Sequence, residues 1–310
     1  MKYLALAYYK FISIDDPHIE VLKHKKFFEN KDVTTRIYIS EEGISGQMSG
    51  CINDAQDYMD WLKTHSYFSD MVFKIHPISE NIFPRVTVKY RKQLVAFDAQ
   101  VNLTKGGQHV APREWKKMVE SGEYFLLDVR NNYEWAIGHF QGAMLPPIRT
   151  FREFPKYAQE LSKAVDPLKT KVMMYCTGGI RCELYSALLK EKGFGEVYQL
   201  DGGVINYGIE EGKTYWKGKL FVFDDRLAID IDGGESTPIA HCTHCHCLSD
   251  TYYNCANMDC NHLFISCPTC HEIYQRCCSF SCTKAPHLRK FTDTIGNKPF
   301  RKKHTLLSCV

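Results

Sequence analysis

Apolar residues recur along this chain in two rhythms, and the switches between them mark its elements. Tyr3–Phe11 is an apolar run of strand length, and Pro17–Asn30 carries helix-spaced apolar residues with Pro17 near its start. Val33–Ile39 alternates as a strand, Glu41-Glu42-Gly43 reads as a turn, and Ile44–Met48 as the returning arm of a hairpin. Asn53 or Asp54 is placed to cap a helix ending near Thr64. Met71–Ile78 is a further strand, and Arg85–Val95 adds extended structure. The order βαββαβ over residues 1–98 predicts a ferredoxin-like (acylphosphatase-like) α/β sandwich, a fold that hosts many functions.

Residues 99–111 contain Gly106-Gly107 and read as a linker. From 112 to 216 strands alternate with helices. Pro112–Ser121 is helical, Phe125–Val129 is a buried strand of parallel type, and Ile148–Val165 holds helices. Lys171–Tyr175 is the central strand, Cys182–Lys190 has helical spacing, and Glu196–Leu200 is the last strand. Past Trp216 the pattern weakens. Trp216–Asp232 alternates like a hairpin with Asp224-Asp225 at its turn, and residues 217–310 form a Cys-rich, basic region.

With 310 residues, two or three domains are expected, and 44% hydrophobic with 24% charged residues is ordinary for a soluble chain. A formal net charge of +3 leaves attraction to nucleic acid to local patches. No run approaches the roughly 18 apolar residues of a membrane span. Tyr3–Tyr9 after Lys2 imitates a signal peptide, but Lys10 interrupts it and no small-residue cleavage site follows. A cytoplasmic protein is expected, whose 14 cysteines are not a disulfide framework.

The chemistry concentrates in Lys171–Cys182, KVMMYCTGGIRC. A strand feeding a glycine-containing loop and then a helix aims backbone N–H groups and the helix dipole at the loop's centre. Cys176 opens that loop, Thr177, Gly178, Gly179 and Ile180 supply its amides, and Arg181 adds positive charge. Such settings lower a thiol pKa to about 3.5–7.5 from about 8.5. The bland alternative is a buried cysteine at a strand end. Arg181 lies five positions after Cys176, one fewer than in the Cys-x5-Arg loop of cysteine-dependent phosphatases. The shorter loop resembles the rhodanese superfamily, whose loop holds a cysteine persulfide. The string Asp128-Val129-Arg130, Glu134 and Gly138-His139-Phe140-Gln141-Gly142-Ala143 is a second hallmark, and Tyr198–Gly203 matches that fold's last strand and turn. The resemblance implies a doubly wound parallel sheet over 112–216. There Asp128, Arg130, Glu134 and His139 are expected to brace the loop more often than to act chemically.

Eleven cysteines follow Ala240, against three before it. Eight form the pairs Cys242/Cys245, Cys255/Cys260, Cys267/Cys270 and Cys278/Cys282, close to zinc-ribbon spacing. A cross-braced arrangement is expected, Cys242/Cys245 with Cys267/Cys270 and Cys255/Cys260 with Cys278/Cys282, holding structural zinc. Cys247, Cys277, His241, His244, His246, His262 and His271 are spare donors, and free thiols in a small core are the alternative. The stretch Lys284–His304 interleaves Lys284, Arg289, Lys290, Lys298, Arg301, Lys302 and Lys303 with Phe291 and Phe300. That composition suits phosphate contact plus base stacking, and equally a solvated terminus. Lys23, Lys25, Lys26, Arg36, Arg85, Lys89, Arg91 and Lys92 offer further phosphate contacts or a solvated face.

Taken together, the α/β N-terminal unit, YCTGGIRCE, FVFDDR and the Cys-rich end resemble the bacterial tRNA uridine-34 hydroxylase family. The resemblance implies oxygen-dependent formation of 5-hydroxyuridine at the wobble position of tRNA, with Cys176 as the active-site cysteine and dioxygen as co-substrate. Its partner would be the anticodon loop. No flavin or nicotinamide fingerprint and no two-His-one-carboxylate pattern stands out. A thiolate or persulfide on Cys176 adding to C6 of uracil would leave a carbanion at C5 able to meet dioxygen. Cys182 would resolve an oxidised Cys176, or simply pack under the loop. A sulfurtransferase carrying a persulfide on Cys176 and a non-catalytic RNA-binding or scaffold protein remain as alternatives.

Overall fold

The computed structural model describes residues 2–289, and the chain divides into two compact units at Asp98. In the first, β1 (Tyr3–Phe11), α1 (Pro17–Phe27), β2 (Val33–Ser40), β3 (Gly43–Cys51), α2 (Ile52–Lys63), β4 (Lys74–Ile78) and β5 (Val88–Tyr90) follow in order. The sheet order is β4-β1-β3-β2-β5, antiparallel except for the parallel β2–β5 pair. This is the ferredoxin-like sandwich with one strand added at an edge. Alternation decides its faces: Leu6 and Tyr8 of β1, Ile37 and Ile39 of β2, and Ile44 and Met48 of β3 join Tyr58, Met59 and Leu62 of α2 in one core.

Two details of the first unit depart from the sequence pattern. α1 stops at Phe27, short of Asn30, whose left-handed φ of 62° ends helical continuation. α2 is capped by Cys51, with no side-chain cap bond, instead of Asn53 or Asp54. The Asp54 carboxylate sits inside the first turn and accepts from the Asp32 N–H and the Lys31 ammonium, 2.9 and 3.0 Å away. A partner distant in sequence thus outbids the local cap.

The second unit contains β6 (Gln108–Val110), α3 (Pro112–Ser121), β7 (Phe125–Asp128), α4 (Asn132–Trp135), β8 (Gly138–Phe140), α5 (Phe154–Ala164), β9 (Val172–Tyr175), α6 (Ile180–Glu191), β10 (Val197–Leu200) and α7 (Gly203–Glu211). β6, β10, β9 and β7 form a parallel sheet in that order. The segment read as a linker therefore supplies an edge strand. Met173 and Tyr175 of β9 meet Trp115 and Met118 of α3 and Val204 and Tyr207 of α7. Val172 and Met174 point to the opposite face, and all four residues of β9 are buried, as a parallel strand covered on both sides requires.

Beyond α7 come β11 (Trp216–Gly218), β12 (Leu220–Phe221), β13 (Ala228–Ile229), β14 (Tyr252–Asn254), β15 (Leu263–Ile265) and α8 (Pro268–Ile273), all in the same compact unit. The hairpin expected over Trp216–Asp232 is split. β11 pairs with β8, and only Leu220–Phe221 pairs with Ala228–Ile229. The cause is Arg130, stacked 5.1 Å from the Trp216 ring inside the core, which fixes β11 against the upstream strand. Asp224 instead closes the turn by accepting from the Arg226 N–H and guanidinium at 2.6–3.0 Å.

Candidate active site

β9 ends where the chain must turn sharply into α6, and Gly179 makes that turn at φ 100°, the left-handed side open to glycine. The Gly179 N–H points back at the Cys176 sulfur, 3.1 Å away. From the other side the first turn of α7 closes on the loop. Val204 and Ile205 N–H groups donate to the carbonyls of Cys176 and Thr177 at 3.0 and 3.1 Å. Gly203 sits so close that a Cβ there would lie 2.6 Å from the Cys176 carbonyl oxygen.

Arg181 is buried, and its guanidinium forks onto Glu134, Nη1 to Oε2 at 2.7 Å and Nη2 to Oε1 at 2.8 Å. The Thr177 hydroxyl joins them, 3.2 Å from both the Glu134 carboxylate and Arg181 Nη2. Glu134 also accepts from the Asn131 N–H at 3.0 Å, completing the capping box of α4. Rings flank the guanidinium, Phe151 at 4.8 Å and Phe223 at 6.0 Å. Burial pushes the Cys176 thiol up, yet the Cys182 hydrogen bond, the Arg181 charge and the loop amides together lower it to about 5. Burial, together with the neighbouring Cys176, pushes Cys182 well above the ordinary thiol range, which keeps it protonated as the donor of the pair.

Of the four scaffold residues, Glu134 alone touches the loop's arginine. Asp128 and Arg130 pair with each other through Arg130 Nε to Oδ1 at 2.8 Å, and Arg130 Nη2 also holds the Gly138 carbonyl at 2.6 Å. His139 Nδ1 lies 2.9 Å from the Trp135 carbonyl and braces α4. Sequence reasoning missed Phe151, Phe223 and Gly203 as loop neighbours. The Gly202-Gly203 pair and the FVFDDR string were visible, but nothing in their spacing says which surface they meet.

Four sulfurs from Cys242, Cys245, Cys267 and Cys270 lie within 4.8 Å of one another, and so do those of Cys255, Cys260, Cys278 and Cys282. The sulfurs of Cys245 and Cys267 are 3.7 Å apart, as are those of Cys260 and Cys278. A tetrahedron with metal–sulfur bonds of about 2.3 Å has edges of about 3.8 Å, so both sets fit a thiolate-bound metal ion. Of the spare donors, Cys247 lies beside Cys245 and Cys267, and Cys277 beside Cys255, at the edge of each set. Cys277 is buried with Tyr253 and Phe264, His271 stacks on Tyr253 at 3.5 Å, and His244 on Tyr274 at 3.7 Å.

Among the expected RNA contacts, Arg289 is half-buried and engaged within the chain: its Nη1 donates to the Cys255 carbonyl at 3.1 Å and its Nη2 to Asn261 Oδ1 at the surface. It is therefore a brace of the second cysteine set. Lys290, Arg301, Lys302 and Lys303 lie outside the described residues. On the first unit, Lys23, Lys26 and His65 line an open groove with Phe27 and Trp61. Among the described residues no helix is long and apolar enough to cross a membrane.

Comparison with known proteins covers the same three regions. Residues 3–94 match the UPF0176 acylphosphatase like domain, 111–209 the rhodanese-like domain, and 217–283 the rhodanase C-terminal family. The tRNA uridine(34) hydroxylase of Chlamydia trachomatis serovar D is 60% identical over 304 residues, 97% of this chain and 93% of that protein. The protein of the same name from Chlamydia felis is 59% identical over 97% of this chain and 94% of its own length. The one from Chlamydia pneumoniae is 58% identical over 98% and 94%. With identity this high over nearly the whole length, and with the Cys176 loop intact, the chain belongs to the tRNA uridine(34) hydroxylase family.

Proposed function

We propose that this chain is a cytoplasmic enzyme that hydroxylates uridine 34 of tRNA at C5, with dioxygen as co-substrate and Cys176 as nucleophile. The observation that carries the reading is a thiol held as thiolate by loop amides, Cys182 and the locked Arg181. Uracil is electrophilic at C6. Addition of the thiolate forms an S–C6 bond and moves the C5–C6 π pair onto C5 and the O4 enolate. The C5 carbanion then bonds to dioxygen, giving a hydroperoxide once protonated. A dithiol reductant supplies two electrons and two protons, one oxygen leaves as water, and the other stays on C5. Loss of the C5 proton with expulsion of the Cys176 thiolate restores the ring. Because Cys176 is fully buried, the base reaches it only when the covering residues shift.

The anticodon loop is the segment of tRNA expected at Cys176, and Lys23 and Lys26 on the first unit are candidates of their own for phosphate contact. The two cysteine sets offer four protein thiolates each and no open coordination position, which supports structural zinc over catalytic zinc. Zinc bound there supplies folding free energy. The same loop amides suit a persulfide, so the sulfurtransferase reading is the one to test against.

The test is nucleoside mass spectrometry of tRNA from a deletion strain complemented with wild type or Cys176→Ser. Loss of 5-hydroxyuridine in the variant, with tRNA still bound and label from dioxygen at C5 in the wild type, is expected. Oxygen arriving from water, or brisk thiosulfate-to-cyanide turnover with unmodified tRNA, would overturn the proposal.

A further inference from the structure

We propose that the Cys-rich region is a positioning element for the Cys176 loop, acting through Tyr252 and Phe221 on the helical turn that carries Glu134. That turn, α4, has four residues, far too few to be stable alone. Yet it presents the carboxylate that receives both terminal nitrogens of Arg181. Part of what holds it is local, namely the Asn131 capping box and the Trp135 Nε1 bond to the Pro146 carbonyl at 3.0 Å. The rest comes from beyond residue 217. The Tyr252 hydroxyl, buried with its residue, donates to the carbonyl of Tyr133, the residue before Glu134. The Phe221 ring meets Tyr133 edge-on at 5.2 Å and Tyr252 at 5.4 Å. Phe223 of the same segment faces the Arg181 guanidinium.

Tyr252 is itself held by the cysteines. It pairs with Ile265 across the β14–β15 ladder, three residues before Cys255 and two before Cys267 on the partner strand. The Thr243 N–H, beside Cys242, donates to the Ile265 carbonyl at 2.9 Å, and the Ser266 hydroxyl lies 3.8 Å from the Cys242 sulfur. Both cysteine sets therefore flank the hairpin that aims Tyr252 at α4. The path runs from cysteine sets to hairpin, Tyr252, Tyr133, Glu134, Arg181 and the loop, every step a contact within one compact unit.

The expected direction of the effect follows from the site as a whole. The charged and titratable groups facing Cys176 are Arg181, Cys182 and Tyr185 from α6, and Glu134 from α4 acts on it through Arg181. Burial raises the thiol, and Arg181, Cys182 and the loop amides lower it, so a shift of α4 that draws Arg181 off Cys176 while the sulfur stays buried moves it upward. The experiment is the pH profile of Cys176 alkylation by iodoacetamide in the full-length protein, read by mass spectrometry of the Cys176 peptide. Tyr252→Phe deletes one hydroxyl. It should raise the midpoint by about half a pH unit, slowing alkylation below the midpoint about threefold. In a Glu134→Gln background the same change should add nothing, because the path runs through Glu134. A Tyr252→Phe profile superimposable on wild type, or an equal shift in both backgrounds, overturns the proposal. Zinc content and thermal midpoint are measured on the same samples. Should Tyr252→Phe shed metal, Phe221→Leu carries the test through the Tyr133 ring with the same expected shift. The readout is thiol chemistry, so its failure is distinguishable from failure of the hydroxylase reading.

Discussion

Arg181 commits both terminal nitrogens to Glu134 in a buried site, and this makes the pair sensitive to losing one member. Replacing Glu134 by alanine strands a buried guanidinium, and breaking such pairs costs about 3–5 kcal/mol. Glu134→Ala should therefore lower the denaturant midpoint far more than Lys117→Ala, whose exposed pair with Glu114 is a surface contact. Cys176 carries a second signature. Its folded pKa, about 5, lies below that of an unfolded thiol, about 8.5, so across that window the unfolded chain binds more protons. Its contribution to stability is full above the unfolded value and is lost as pH falls through about 5. Denaturant titrations between pH 5 and 8.5 should show a rising stability that Cys176→Ser flattens. The depressed thiol was legible from strand, glycine loop and arginine alone. Cys182 was placed near the loop from its spacing, but its part in lowering the Cys176 thiol as a hydrogen-bond partner depends on how the first turn of α6 meets the loop.

At the scale of elements, α7 does more than pack on the sheet. Its first turn satisfies the loop carbonyls, and the approach is close enough that only glycine fits at 203. Gly203→Ala combines a left-handed φ of 68° with a contact of 2.6 Å to backbone. Gly122 has the same φ with nothing within 4 Å, so Gly122→Ala pays the conformational cost alone, about 1–2 kcal/mol. Gly203→Ala should exceed that loss and also slow Cys176 alkylation at least about tenfold, whereas Gly122→Ala leaves the thiol profile unchanged. Strand and helix order in the first unit followed the apolar rhythm closely. The cap of α2 and the pairing of β11 did not, since Asp54 and Trp216 answer to Asp32, Lys31 and Arg130, partners that no local pattern names.

For the whole molecule, metal and RNA are the two predictions. Protein purified without chelator should carry about two zinc ions per chain, and chelation should unfold the Cys-rich region, since binding to such sites is folding free energy. A metal-free protein with an intact β14–β15 hairpin would sink the zinc assignment. Replacing Arg301, Lys302 and Lys303 by alanine should weaken tRNA binding and flatten its salt dependence by roughly one unit of slope per lost phosphate contact. Lys23→Glu with Lys26→Glu tests the groove of the first unit by the same measurement, and an unchanged slope there would place the tRNA elsewhere.

Periodicity carried the ferredoxin-like order, and motif spacing with the rhodanese resemblance carried the parallel α/β unit and the loop at Cys176, because each is a local property of consecutive residues. Spacing alone carried the division of eight cysteines into two sets, because paired ligands a few residues apart are a covalent constraint on the chain. Tertiary structure decided the rest. That Glu134 and not His139 meets Arg181, that Arg289 holds the Cys255 carbonyl, and that Tyr252 reaches Tyr133 depend on which surfaces come together after the sheet is formed. Such contacts join residues tens to more than a hundred positions apart. Burial and hydrogen-bond satisfaction select them, and neither leaves a mark on the residues' near neighbours in the chain.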